Sequence, residues 1–394
     1  MEESLMVLPA DDVMCRVEKI QHDMRQLGVD GAIVCDNANL FYLAGRVYAG
    51  FAYLPACGAP VWFVRRPIDL VGENVFYIRK PEDIPAHLMS IGLSAPAVLG
   101  LECDLASYNC INRLSALFPE AHMADISAVM RHARSVKTGT EIIMMRQSGI
   151  KHEAVYRRIP SLYSVGMTDL ELQVEIERLA RMEGCLGLFR VSGPSMEIFM
   201  GNIISGKNAD VPTPYDFAMG GRGLDPSIPV GADGSEIKPN STVMVDMNGN
   251  FTGYMTDMTR VFSVGEIPQL ARDAHQCSID ICRMFGDEAK PGVGAKALYE
   301  KAMAMVSERG LEKYFMGHRQ HAGFIGHGVG IEINELPVIA PRSKNLLEEG
   351  NAIALEPKFV IPDVGAVGIE NTYIIAEDCA VCLTNAPEEI IPLI

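Results

Sequence analysis

Positive charge is in short supply in this chain. Its 34 Lys and Arg stand against 50 Asp and Glu, a formal net charge of −16. That balance argues against nucleic acid or an anionic membrane as the main partner. It gives a field that attracts cations, though only weakly at physiological salt. Long apolar runs are also missing, and none reaches the ~18 residues of a spanning helix. The start, Met1-Glu2-Glu3, lacks the basic residues and apolar core of a signal peptide. No phosphate loop is present: the glycines around 205–224 have neither a Gly-Lys-Ser/Thr ending nor a strand-then-helix setting. The 10 cysteines are scattered, several of them in apolar runs, and form no disulfide framework. They read as the reduced thiols of a cytoplasmic protein. Cys379 and Cys382 have the spacing of a redox or zinc pair, but no second pair accompanies them.

The chain does have enough apolar residues to build with. Its 394 residues are 48% hydrophobic, enough for two domains with sizeable cores, and 21% charged, too little for wholesale disorder. Val13, Val17, Ile20, Met24 and Leu27 follow helical spacing up to Gly28, and Gly31–Cys35 reads as a buried strand. Alternating helices and short strands continue to about Phe118, which predicts an α/β domain at 1–130. It holds no cluster of catalytic residue types and reads as a scaffold. The boundary is expected between Ala128 and Gly139, leaving 131–394 as a second domain.

Thr138…Glu141 and Thr168…Glu171 are capping-box patterns that open two helices. Residues 187–234 are rich in Gly and Pro and weakly periodic. A loop this long is either a wall of a substrate pocket or plain surface. Strands are expected at Thr242–Asp246 and Gly253–Val264. Asn248-Gly249 between them is a tight-turn signal. Such a turn would pair Asp246 with Phe251 and leave Asp257 out of register. A wider loop near Phe251 and Thr252 would bring the two acids opposite each other, and we expect the wider loop. Two further helices follow, Leu270–Met284 and Ala295–Arg309, then strands at Ala352–Glu356, Phe359–Ile361 and Val367–Ile375. Two helix pairs, each followed by strands, suggest a structural duplication.

The chemistry lies in five residues. Asp246, Asp257, His327, Glu356 and Glu370 each sit in an apolar or Gly-rich run. A lone strand Asp is usually a turn or salt-bridge residue, and a lone His is often packed in a loop. Four acids in apolar strands are another matter, because a buried unpaired carboxylate is costly. Oxygen and nitrogen donors without thiolate suit Mn²⁺, Co²⁺, Fe²⁺ or Zn²⁺. Two such ions ~3.5–4 Å apart can hold a hydroxide between them.

With these residues and their flanks (Gly253-Tyr254, Asp257-Met-Thr-Arg260, Gly326-His-Gly-Val-Gly330) the chain resembles the pita-bread metallopeptidases. That family includes methionine aminopeptidase, aminopeptidase P and prolidase. The order Asp, Asp eleven residues on, His in a GHG motif, Glu before Pro and a final Glu is the family's order. The first 130 residues resemble the creatinase/prolidase amino-terminal domain, which favours the Xaa-Pro-cleaving branch. The resemblance implies an α/β (α+β) fold, a small creatinase-like domain before a pita-bread catalytic domain. It implies two divalent ions: Asp246 on one, Asp257 and Glu370 bridging, and His327 and Glu356 on the other. Glu356 would be the acid/base. A small peptide substrate and a homodimer follow from the same resemblance.

Three departures from the family pattern stand out. The histidine expected seven residues after His327 is Asn334, and no histidine lies between His152 and His275, where one usually precedes the first Asp. Candidate replacements are Asn334, His318 and His321. An Arg usual two residues before the final Glu is Gly368. An oxyanion stabiliser is worth ~2.7–4 kcal/mol. Losing these helpers therefore leaves a second expectation open: a metal-dependent lyase or hydrolase of a small zwitterion on the same fold.

Overall fold

The computed structural model describes residues 2–193, 198–216 and 220–394. Parts of the 187–234 stretch, 194–197 and 217–219, lie outside the described residues. The chain divides into two compact units, Met1–Arg134 and Ser135–Ile394. Among the described residues no helix is long and apolar enough to cross a membrane.

The first unit is built on a six-stranded mixed sheet. Its order is Val75–Tyr77, Val61–Arg66, Ala49–Pro55, Gly31–Val34, Val98–Leu101 and His122–Asp125. Helix Ala10–Gln26 buries the apolar stripe read from the sequence, Val13, Val17, Ile20 and Met24. Asn37–Ala44 is a helix because Asp36 accepts the N–H groups of Ala38 and Asn39. Gly45, at φ 71°, ends it. The buried acid of this unit, Glu102, is tied to the Cys35 and Asp36 N–H groups and to Asn39 Nδ2. Those bonds hold the loop between strand and helix, a structural task.

In the second unit both capping boxes form, on helices Gly139–Tyr156 and Asp169–Met182. A four-stranded sheet follows, in the order Ile391–Pro392, Met255–Val264, Ser241–Asn250 and Gly201–Ser205. Helices Gln269–Glu288 and Ala295–Glu308 come next, then a five-stranded sheet. Its order is Glu335–Ile339, Gly326–Gly328, Ala352–Leu355, Asn371–Ile375 and Ala380–Cys382. A separate hairpin, Lys358–Ile361 with Gly365–Gly368, packs against helix Gln269–Glu288. That helix buries Ala271, Ala274, Cys277, Ile281 and Phe285 along one stripe. Burying a side chain such as Phe285 stabilises by about 1.5–3 kcal/mol. This stripe holds the hairpin, and with it the segment that leads into Glu370.

Two local readings change, and the choice of turn between the two acid-bearing strands is decided. Gly201–Ser205, inside the stretch read as loop, is a strand paired with Val243–Met247. Its apolar content is two isoleucines between polar and small residues, too short a run to show periodicity. Asn248-Gly249 is no turn: the ladder runs straight through it, with Asn248 opposite Asp257 and Gly249 opposite Thr256. Glycine is needed at 249 because the His152 ring packs on it, and an added Cβ would lie 2.4 Å from that ring. The chain instead turns at 251–254, the wider loop that was expected. There the Asn250 carboxamide oxygen accepts the Gly253 N–H and Gly253 takes φ 90°. Finally, Val367–Ile375 is two strands in different sheets, broken at Ile369 and Glu370.

Candidate metal centre

The five residues come together where the two sheets of the second unit meet. Asp246 lies opposite Thr259, and Asp257 opposite Asn248. The two acids are therefore diagonal neighbours on one face of the hairpin, not directly opposite. His327 and the end of strand Ala352–Leu355 bring the other sheet's groups alongside. Glu370 stands in the break between strands, and its backbone exchanges two hydrogen bonds with Thr259 of the first sheet, at 3.3 and 3.2 Å. Thr372 Oγ repeats the link, accepting the Asp257 N–H at 2.8 Å and donating to the Asp257 carbonyl at 2.9 Å. Arg260, 1% exposed, donates to the carbonyls of Thr259, Glu370, Thr384 and Ala386 and to the Asn371 carboxamide oxygen. It clamps the Glu370 segment to the tail of the chain.

Among the described residues two trios have ligand atoms within 4.8 Å of one another, Asp257, His327 and Glu370, and Asp246, Glu356 and Glu370. The second trio has an occupant. Lys358 Nζ donates to Asp246 Oδ2 at 2.8 Å, Glu356 Oε2 at 2.7 Å and Glu370 Oε2 at 3.0 Å. Its side chain is completely buried. Glu370, which both trios share, has an open valence: its Oε1 is buried and has no hydrogen-bond partner. An imidazole and two carboxylates around such an orphaned oxygen fit a divalent transition ion.

The electrostatics follow from crowding acids in a largely buried cage. Burial, helped by the charge of Asp246, pushes Asp257 up to about 7. Burial and then Asp257 raise Glu370 well above the usual carboxylate range. Burial opposes the charged form of Glu356, but Lys358 and His327 outweigh it and hold Glu356 down at about 2. Burial likewise opposes His327⁺, yet its 3.5 Å contact with Glu356 and the charge of Asp257 lift it to about 9. Ligands must lose their protons to bind metal, so ion uptake here releases protons.

The other candidates are engaged elsewhere. Asn334 uses both ends of its carboxamide on the Ser192 backbone, accepting its N–H at 2.7 Å and donating to its carbonyl at 3.0 Å. His318 Nδ1 meets Asp210 at 2.9 Å, and His321 Nδ1 meets the Phe315 carbonyl at 2.8 Å. Cys382 Sγ bonds to Thr384 and all ten cysteines are free. Gly368 pairs with Lys358 across the hairpin at φ 126°. A Cβ there would lie 2.6 Å from the Pro357 carbonyl, so the backbone approach itself excludes a side chain. The sequence reading missed two residues. Lys358 was the more visible, a charge opening an apolar strand two places after Glu356. The other is Asn248, 3% exposed and without a partner for either carboxamide atom.

Comparison with known proteins gives this cage its family. Residues 143–377 match metallopeptidase family M24. The chain belongs to that family. Residues 16–136 match the creatinase/prolidase N-terminal domain. The Xaa-Pro dipeptidase of Pyrococcus furiosus is 26% identical over 383 residues, covering 95% of this chain and 99% of that one. An uncharacterised peptidase of Bacillus subtilis is 24% identical over 386 residues, covering 96% and 100%. The solved Xaa-Pro dipeptidase of Bacillus anthracis superposes with a TM-score of 0.80 at 22% identity, covering 97% of this chain and 100% of that one. The expected architecture, a creatinase-like domain before a pita-bread M24 domain, is therefore the one observed.

Proposed function

We propose that this M24 metallopeptidase hydrolyses Xaa-Pro peptide bonds, with Asp246, Asp257, His327, Glu356 and Glu370 as its metal-site residues. The observation that carries the reading is the convergence of these five side chains from two sheets on one buried cage. The names of the dipeptidase relatives support the bond type. Asp257, His327 and Glu370 would hold an ion, Mn²⁺, Co²⁺, Zn²⁺ or Fe²⁺ by donor type. When bound, such an ion polarises a carbonyl and acidifies water near neutral pH.

The chain's own groups supply the rest. Glu356 is the residue that would move the proton. With His327 3.5 Å and Lys358 2.7 Å away, a proton it accepts is loosely held and passes readily to the leaving amine. Arg260 and Thr259 position Glu370, the latter through a 2.8 Å bond to Oε2. A homodimer in the cytoplasm remains part of this proposal, and light scattering tests the dimer.

One observation favours a second reading. Asn334, where the family pattern has histidine, is tied to Ser192, and Lys358 stands among the acids. A metal-dependent lyase or hydrolase of a small zwitterion would retain the cage with such altered surroundings. The deciding experiment reconstitutes the protein with Mn²⁺, Co²⁺ or Zn²⁺. Xaa-Pro dipeptides, longer Xaa-Pro peptides and Xaa-Ala controls are then compared. Proline-dependent cleavage supports the first reading. Metal-loaded protein with no such cleavage rejects it in favour of the second.

A further inference from the structure

The expected pair of ions does not fit the cage as it stands. A lysine ammonium has three N–H donors and no acceptor. Lys358 directs all three to carboxylates, at 2.8, 2.7 and 3.0 Å, with none of its side chain exposed. Its nitrogen stands among the three oxygens that a second ion would need. Carboxylate oxygens bind such ions at about 2.0–2.2 Å, so ion and ammonium cannot share that space. Expelling the ammonium would leave a buried cation with its partners taken. Charge points the same way. One divalent ion together with Lys358 leaves the four carboxylates with a small negative excess, whereas a second ion added while Lys358 remained charged nearby would make the buried cage positive.

We infer that Lys358 is a permanent cation in the Asp246, Glu356 and Glu370 half of the cage, and that this chain binds a single divalent ion, at Asp257, His327 and Glu370. The inference rests on the metal-dependent reading of the site. It adds that one of the two metal positions is filled by a side chain of the protein itself. The orphaned Glu370 Oε1 belongs to the remaining position, while Oε2 serves Lys358 and Thr259. The two halves therefore share one carboxylate, with a fixed charge on one side and an exchangeable ion on the other.

The test is stoichiometry, read without substrate. Chelator-treated protein is reloaded with Mn²⁺, desalted and measured by elemental analysis and electron paramagnetic resonance. The wild type should hold one ion per chain with the spectrum of an isolated Mn²⁺. Lys358→Met should gain a second ion and the signature of an exchange-coupled pair. Asp246→Asn should keep its one ion, whereas Asp257→Asn should lose it, and these variants decide the matter should Lys358→Met fail to fold. Two coupled ions in the wild type, or loss of the ion on Asp246→Asn, overturn the inference and leave the peptidase reading intact. A single ion with no proline-dependent cleavage upholds the inference while rejecting that reading. No ion at all overturns both.

Discussion

Acid should unlatch the strand that leads into Glu370, and His275 is the group that responds. The Gly368 N–H donates to His275 Nδ1 at 3.1 Å, so the ring's proton sits on Nε2 and is donated to the Glu388 carbonyl at 2.7 Å. Both bonds need the neutral ring. A proton on Nδ1 would face the Gly368 N–H, donor against donor. Burial, opposed in part by the Glu388 bond, holds this histidine at about 4, below its usual 6.5. The unfolded chain therefore takes up the proton first. The stability contributed is fully present above 6.5 and is lost as pH falls through about 4. At about 1.4 kcal/mol per pH unit the interval is worth about 3 kcal/mol. His275→Gln keeps an acceptor for Gly368 and a donor for Glu388 but does not titrate. Urea unfolding of the metal-free second unit, followed by circular dichroism at pH 7 and pH 4, measures the difference. Trp62, the chain's one tryptophan, reports separately on the first unit. We expect wild type to lose about 3 kcal/mol more than His275→Gln between the two pH values. Parallel losses in the two proteins would refute the argument.

Three further outcomes are expected. Asp257→Asn should abolish metal binding and turnover together, measured on one preparation, and full metal occupancy would count against its role as a ligand. Arg260→Met strips the donors from several buried carbonyls around Glu370 and should cost about 3–5 kcal/mol in chemical unfolding. A loss below about 1 kcal/mol would show that the clamp is dispensable. Asn248→Leu removes a buried carboxamide that has no partner, so it should raise stability by about 1–3 kcal/mol. The same change should lower kcat/KM if that carboxamide meets substrate, and a variant that is both more stable and fully active would deny it such a role.

Much of this molecule was readable in advance because its local signals agree with its fold. Thr138 and Thr168 cap the helices their spacing announces, and the apolar stripe of Gln269–Glu288 faces the core. The metal-type residues were visible because acids in apolar strands are expensive and stand out. What stayed hidden depends on distant contacts. Asn248-Gly249 has the composition of a turn, yet Gly249 is small to admit the ring of His152, nearly a hundred residues away. Glu370 reads as part of one long strand, but the sheet change around it is set by Thr259 and Arg260. Asn334, His318 and His321 share the neighbourhood in sequence, while the bonds of the first two, to Ser192 and Asp210, are tertiary, and His321 is held by the nearby Phe315 carbonyl. Lys358 was legible in principle. A buried lysine needs acids around it, and the sequence supplies four.

That lysine also bears on how the protein is made. Four carboxylates drawn from segments about a hundred residues apart must close on one another before the second unit is complete. In a cage without its own cation, this closure would wait on metal, and the repulsion would leave a nascent chain open whenever metal is scarce. Here the strand following Glu356 carries its counter-charge into the seam, joined to Asp246 on the opposite sheet. On the single-ion proposal, assembly of the two sheets would then need no metal, and an ion could arrive late, leave and return without the chain having to refold around it.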